Sequence, residues 1–140
     1  MRPSALIALF LALALAAPAG AGSNARKGAV HKITQSTSYL MIDPIYTTIM
    51  DGNKIEGMLM VGIGLDVPDA ELRARTEHEM PVLRDVYVRS LMAFTATSVR
   101  SWRQPDVGEI ADRLQRATDR TLRRQGARIL LAQVAMRLTK

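Results

Sequence analysis

The apolar residues of this chain change their spacing once, at Pro68-Asp69, and no other feature constrains the fold as much. Between residues 55 and 67 the apolar side chains alternate, and the odd positions form one set: Ile55, Gly57, Leu59, Val61, Ile63, Leu65 and Val67. After Pro68-Asp69 they recur every three or four residues instead. A period of two is typical of a strand with one buried face, and the longer spacing is typical of a helix. We therefore expect a strand whose odd face is buried, followed by helices.

A second β-rich run, Ser38 to Met50, precedes that strand. Because proline has no backbone N–H, Pro44 is expected to break this run or to place it at an edge of the sheet. Asp51-Gly52-Asn53 separates the two runs, and its glycine and asparagine tolerate the positive φ of a tight turn. The same three residues resemble a fragment of a calcium loop, but the acidic ligands that should follow are missing. A hairpin is therefore predicted.

The first helical pattern contains a proline. Because Pro81 removes one backbone hydrogen bond, we expect it to kink this helix or to divide it into two pieces. The predicted apolar stripe consists of Leu72, Thr76, Met80, Leu83, Tyr87, Leu91, Phe94 and Ser98.

A second helix is expected to start at Gln104-Pro105-Asp106 and to run to about Arg124. Proline suits the first helical position, acid favours the first turn, and Gly126 stands where a C-terminal cap is expected. The predicted apolar stripe of this helix consists of Val107, Ile110, Leu114, Ala117, Thr121 and Leu122.

Ala127 to Lys140 is strand-like and completes the pattern. The order is then β-β-α-α-β, with one further short strand within residues 30–37 as an alternative. The predicted fold class is α+β, a largely antiparallel sheet with two helices on one face. The face predicted for the last strand consists of Leu130, Ala132, Val134, Met136 and Leu138.

The N-terminus has the pattern of a secretory signal peptide over residues 1–21. Arg2 precedes the apolar run Ala5 to Ala17, and small residues follow, with cleavage expected after Ala19 or Ala21. The run is shorter than the roughly 20 residues that cross a hydrocarbon core. We expect a periplasmic protein with a flexible leader over 22–37 and a folded domain over 38–140. The alternative is an uncleaved segment that anchors the chain in the inner membrane.

The chain is basic, with 19 Lys and Arg against 13 Asp and Glu and a net charge of +6. Loss of Arg2 with the signal peptide would leave +5. In the periplasm such a charge would meet anionic lipid headgroups, wall polymers or acidic proteins, so a nucleic-acid partner is not expected.

The residues that most catalysis requires do not form a recognisable pattern. His31 and His78 have no further ligand at zinc spacing, and Glu77-His78-Glu79 cannot converge on one ion because consecutive helical residues diverge. Gly62-Ile63-Gly64 lacks the helix N-terminus that a phosphate cradle needs, which favours close backbone packing or a bulge. The serines lack a nearby His and Asp arrangement. We expect no enzymatic activity, no cofactor and no metal.

The methionines could line a soft-metal site or an adaptable binding surface, but their scatter over several elements favours a role in filling the core. They are Met41, Met50, Met58, Met60, Met80, Met92 and Met136.

An arginine cluster is the strongest functional candidate, and it comprises Arg113, Arg116, Arg120, Arg123, Arg124 and Arg128. The first five would share one face of the second helix. Three follow an acid at i,i+4 in the pairs Glu109–Arg113, Asp112–Arg116 and Asp119–Arg123, which stabilise a helix modestly. That leaves Arg120, Arg124 and Arg128 without such a partner. The cluster is either a solvated helix face or a surface for an anionic partner.

Several segments, in order, resemble the periplasmic domain of the flagellar basal-body-associated FliL family. Residues 38–45 are similar to the family's first strand, which often runs through a proline after an acid. Residues 80–85, Met-Pro-Val-Leu-Arg-Asp, are similar to its mid-helix segment, in which a proline precedes a hydrophobic residue, an arginine and often an aspartate. The resemblance to the family continues at residues 55–71, 104–106 and 129–138. It therefore covers about residues 38–140.

The resemblance implies a small stomatin-like α+β domain that self-associates into a ring around the flagellar stator in the periplasm and supports motility. It implies no catalytic residues. Family members usually keep an N-terminal transmembrane helix, whereas the apolar segment here has the pattern of a cleavable one. The expected partners are other copies of the chain and the stator or another envelope protein. The alternative is a soluble module that binds anionic lipid or wall polymer through its arginines.

Overall fold

The structure is a computed structural model, and it describes residues 35–139. The elements follow the order β1 (Tyr39–Asp51), β2 (Lys54–Asp66), α1 (Ala70–His78), α2 (Met80–Thr97), α3 (Val107–Leu122) and β3 (Arg128–Leu138). The strands form one antiparallel sheet in the order β1-β2-β3. The α+β class is confirmed, with three helices rather than two. The predicted signal peptide lies outside the described residues, as does most of the leader, and Gln35–Ser38 form a turn rather than a strand.

The hairpin of β1 and β2 closes through the two residues Gly52 and Asn53. Gly52 has a φ of 56°, which glycine adopts without strain. β1 is an edge strand that continues past Pro44, and its pairing with β2 shifts between Ile42 and Ile45. Arg84 of α2 donates to the Asp43 carbonyl at 3.1 Å, which ties this irregularity to the helical layer. Of the two expectations for Pro44, the edge position is therefore correct.

β2 buries its odd face against the helices, as predicted, from Gly57 to Leu65. Ile55 is the exception, because it is exposed. The register shifts by one residue between the pairs Ile49–Gly57 and Met50–Ile55. A one-residue shift reverses the side on which a strand residue lies, which removes Ile55 from the core.

Pro81 divides the first predicted helix into α1 and α2. It lies in the first turn of α2, where the missing N–H has no helical acceptor to lose. Asp69 caps α1 by accepting from the Leu72 N–H at 2.7 Å. The predicted stripe is buried except at its end, where Ser98 is exposed and Val99 takes its place in the core. The helix ends at Thr97, so the helical period no longer applies to Ser98.

α3 differs from the prediction at both ends. Asp106 is its N-cap and accepts from the Glu109 N–H at 3.1 Å, so Pro105 precedes the helix instead of occupying its first position. The helix ends at Leu122, and Arg123, not Gly126, adopts the left-handed conformation of the cap. The predicted stripe is buried at Ile110, Leu114, Ala117 and Leu122, while Val107 is exposed and Thr121 half-buried.

The face predicted for β3 is wrong because of a bulge. Gly62 pairs with Gln133 and Ile63 pairs with Leu131, so Ala132 is an extra residue on β3. An extra residue reverses the alternation of a strand. Ile129 and Leu131 therefore join Val134 and Met136 against the core, and Leu130 and Ala132 leave the predicted face.

Candidate interaction surfaces

The structure disperses the predicted arginine cluster. Arg113 turns towards α2: its guanidinium lies 5.5 Å from the centre of the Phe94 ring and donates to Glu109 at 2.9 Å. The cation–π contact stabilises the packing of α3 on α2, whereas the ion pair with Glu109 is the predicted i,i+4 pair within α3. Arg113 is therefore a structural residue that joins α3 to α2.

Arg124 and Arg128 have acidic partners, contrary to the prediction. Arg124 lies 3.6 Å from the Asp69 carboxylate at the start of α1. Arg128 lies 3.2 Å from the Asp66 carboxylate, which also accepts from Ser38 at 2.8 Å. Both partners are distant in sequence, which is why helical spacing could not identify them. Arg128 belongs to the end of the sheet rather than to the α3 face.

Arg116, Arg120 and Arg123 remain, and we call them the Arg face. All three are exposed, and within residues 35–139 none has a carboxylate oxygen within 4.0 Å. The predicted pairs with Asp112 and Asp119 do not form.

The hydrogen bonds of Gln115 involve Asp119, which was expected to pair with Arg123. Its side-chain amide donates to Asp119 at 3.0 Å and to the Ala127 carbonyl at 2.9 Å, and its oxygen accepts from the Ile129 N–H at 2.8 Å. The Gln115 side chain therefore links α3 to the start of β3. It also hydrogen-bonds to the carboxylate that was expected to pair with Arg123.

The part of the chain that the structure describes is nearly neutral. Residues 35–139 contain 14 basic and 13 acidic side chains, a net charge of +1. The remainder of the +6 comes from Arg2, Arg26, Lys27, Lys32 and Lys140. Attraction of residues 35–139 to an anionic surface would therefore depend on the local Arg face rather than on overall charge.

The side of the sheet opposite the helices carries apolar residues, and we call it the outer sheet face. Met41 is 77% exposed there, and Tyr46 and Met58 are also exposed. The register places these residues on one side, with no described helix packed over them. The face consists of Tyr39, Met41, Tyr46 and Thr48 on β1, Met58, Met60, Gly62 and Gly64 on β2, and Leu130, Ala132, Gln133 and Ala135 on β3, with the charged residues Asp66, Arg128 and Arg137 at the ends of the strands.

This arrangement corrects the prediction that the methionines fill the core. Met80 and Met136 pack against the core, but Met41, Met50, Met58 and Met92 are exposed. Alternation places Met41 and Met58 outward, because their strand neighbours are the buried residues. The sequence already indicated an apolar outer face, because β2 has apolar residues or glycine at even as well as odd positions.

Gly62-Ile63-Gly64 lies at a bulge, which confirms that alternative, while the close contact at Gly64 is with a side chain and not with backbone. The Tyr39 ring lies where a side chain at Gly64 would stand. Gly62 is covered by the β-carbons of Ala132 and Gln133, which lie 3.7 and 3.6 Å from the position of a Cβ. The register shift falls between Gly62 and Ile63.

A second exposed surface lies in the loop between α2 and α3. Trp102 is 74% exposed at the tip of a tight turn, which is closed by the Arg103 N–H donating to the Arg100 carbonyl at 3.2 Å. Beside it runs an open groove lined by Pro105 and by Val134 and Met136 of β3. An exposed tryptophan next to a sheet edge is a residue type that interfaces use as an anchor.

Within residues 35–139, no three His, Cys, Asp or Glu side chains are grouped so that they could hold a metal ion. His78 is exposed at the end of α1, and His31 lies outside the described residues. Burial raises the pKa of Tyr87 to about 12, but this hydroxyl is enclosed between α2 and α3 and faces no cleft. Among the helices of that same range, none is long and apolar enough to cross a membrane.

The comparisons with known proteins leave the family resemblance as a hypothesis. No protein-family model matches the chain. No curated protein matches it either.

Proposed function

We propose that this protein is a non-enzymatic assembly protein of the bacterial periplasm, related to the flagellar basal-body-associated FliL family, which supports motility through contacts with copies of itself and with the stator or another envelope protein. The outer sheet face is the observation that carries the proposal. An exposed apolar patch of this kind is typical of a surface that binds protein.

Two further features support the proposal. The α+β class is the one that the resemblance implies. Trp102 adds a further exposed apolar residue, and the groove beside it reaches Ala135 of the outer sheet face. An apolar surface extended in this way suits a protein that binds other proteins.

Deletion of the coding sequence in the native host tests the role. We expect the deleted strain to swim more slowly while growing normally and assembling flagella, and a plasmid copy to restore its speed. Normal swimming of the deleted strain would contradict the proposal.

The mature N-terminus, measured by intact mass together with cell fractionation, tests the location. A chain that starts near Gly20 or Gly22 in the soluble periplasm indicates a diffusible component. A full-length chain in the membrane pellet indicates an anchored one. Recovery from the cytoplasm would contradict a periplasmic role.

The Arg face favours a second candidate function, the binding of anionic lipid or wall polymer. Exposed arginines without acidic partners attract anions, and salt screens that attraction within about 10 Å at 0.1 M. Co-sedimentation with phosphatidylglycerol vesicles tests this candidate. Binding should fall with salt and in a triple Arg-to-Gln variant of the Arg face, but not in the charge-matched triple variant of Arg75, Arg84 and Arg89. Equal losses in both variants would contradict it.

A further inference from the structure

The centre of the outer sheet face has no charged side chain. Its charges lie at the ends of the strands, where Asp66 pairs with Arg128 at one end and Arg137 stands opposite Met58 at the other. Between these ends the side chains are methionine, tyrosine, leucine, alanine and glycine, with Thr48 and Gln133 as the polar members. Among the described residues, the centre of this face is therefore largely apolar and uncharged.

β2 has the composition of a strand covered on both faces. An antiparallel sheet with one solvated face normally alternates apolar and polar residues, whereas strands covered on both sides are apolar throughout. Residues 57–65 read Gly-Met-Leu-Met-Val-Gly-Ile-Gly-Leu. The described helices cover one face only, so within residues 35–139 no layer covers the second face.

The dimensions of this face fit a second copy of the chain. Three strands of 11 to 13 residues span roughly 14 Å by roughly 37 Å, or roughly 500 Å². Two such faces bury roughly 1,000 Å² in total, which is the size at which specific interfaces begin. Sheets that pack face to face lie about 10 Å apart, and here the Tyr39 ring over Gly64 and the β-carbons of Ala132 and Gln133 over Gly62 fill the middle of the surface.

The chemistry of the face also favours an identical partner. An apolar surface without central charges complements itself about a two-fold axis, and methionine side chains adapt to an opposing surface. An anionic partner would find no free cation at the centre of the face. Pairing along the sheet edges is discouraged by Pro44 in β1 and by the bulge at Ala132 in β3.

We infer that two copies of this chain pack their outer sheet faces together and form a dimer with a two-layer, six-stranded core. The inference deepens the proposed assembly role and rests on its self-association. Met58, Met60 and Tyr46 lie inside the interface, and Val82 on α2 remains outside it.

Sedimentation equilibrium of the purified mature protein tests the dimer, and Met58→Lys and Val82→Lys form a pair of test and control variants. Met58 is 44% exposed and Val82 is 53% exposed, so the two changes differ mainly in their surface. We expect a wild-type dimer between about 1 and about 100 μM, a dissociation constant raised at least about tenfold in Met58→Lys, and an unchanged one in Val82→Lys. A monomeric wild type, or equal effects of the two substitutions, would overturn the inference.

Cross-linking provides a measurement that does not depend on a lysine in the sheet. The chain has no cysteine, so each single substitution introduces one thiol. A short bismaleimide should join two copies of Met60→Cys and should not join two copies of Val82→Cys. A dimer that is linked through neither position, yet is lost when β3 residues at the sheet edge are changed to proline, would place the interface at the edge and overturn the inference.

The outcomes separate this inference from the proposed function. A monomeric protein whose deletion still slows swimming overturns the dimer and supports the motility role. If the substitutions change the dimer as expected but deletion leaves swimming unaffected, the dimer is supported and the motility role is overturned.

Discussion

The Tyr87 hydroxyl lies 2.6 Å from Oγ1 of Thr118, in the buried interior between α2 and α3. Thr118 already donates its one hydroxyl proton to the Leu114 carbonyl at 2.8 Å. Tyr87 must therefore be the donor to Thr118, because a carbonyl oxygen only accepts. This chain of two hydrogen bonds satisfies the polar atoms that join the two long helices.

The direction of this hydrogen bond predicts unequal effects of its two deletions. Thr118→Val leaves the buried Tyr87 hydroxyl without a partner and should lower the free energy of unfolding by about 1–3 kcal/mol. Tyr87→Phe leaves Thr118 bonded to Leu114 and should cost about 0.5–1.5 kcal/mol. Urea denaturation of both variants measures the difference. A larger cost for Tyr87→Phe would contradict the assigned direction.

The stability of the protein should fall at alkaline pH. Burial raises the pKa of Tyr87 to about 12 from 10.0, so the folded state holds this proton more tightly than the unfolded state. The contribution is complete below about pH 10 and is lost as the pH rises through about 12. Two pKa units correspond to about 2–3 kcal/mol. Unfolding measured from about pH 8 to about pH 12 should show this decline in the wild type and a smaller one in Tyr87→Phe; identical profiles would count against it.

Two glycines of β2 should differ sharply when changed to alanine. A Cβ at Gly57 would lie 2.9 Å from the Leu138 Cα and closer still to the Arg137 carbonyl, so the backbone of β3 would have to move. A Cβ at Gly62 finds its nearest atom at 3.5 Å. Gly57→Ala should cost about 1–3 kcal/mol, and Gly62→Ala less than about 0.5 kcal/mol. Thermal unfolding compares them, and equal costs would contradict the close approach at Gly57.

The arginines of α3 should separate into structural and dispensable residues. Arg113→Ala removes the contacts to Phe94 and Glu109 and should cost about 1 kcal/mol. Arg120→Ala removes an exposed side chain without an acidic partner among the described residues and should stay within about 0.5 kcal/mol. Chemical denaturation tests both, and the prediction fails if Arg120→Ala is the more damaging.

Arg123 occupies a conformation that favours glycine. Its φ of 51° is left-handed, which costs a residue with a Cβ roughly 1–2 kcal/mol, while glycine adds about 0.4–1 kcal/mol of backbone entropy to the unfolded chain. Arg123→Gly should therefore raise the free energy of unfolding by up to about 1 kcal/mol. Arg123→Ala, which keeps the strain, is the control. A loss of stability in Arg123→Gly would show that its side chain matters more than its backbone.

Local patterns explain the parts of the fold that could be predicted. The conformational limits of single residues explain the turn at Gly52 and the break at Pro81. The period of one element explains the buried odd face of β2. The sequence by itself therefore determined the α+β class and the order of the elements.

Tertiary structure decided the candidate site. Arg124 meets Asp69 and Arg128 meets Asp66 because packing brings together segments more than fifty residues apart, which no i,i+4 rule can foresee. One bulge at Ala132 reversed the face of β3, and a single inserted residue leaves no periodic signal of its own. The sequence determined that β2 is apolar on both faces. The tertiary structure placed all three helices against one of these two faces. As a result, methionines on the other face of the sheet are exposed to a partner.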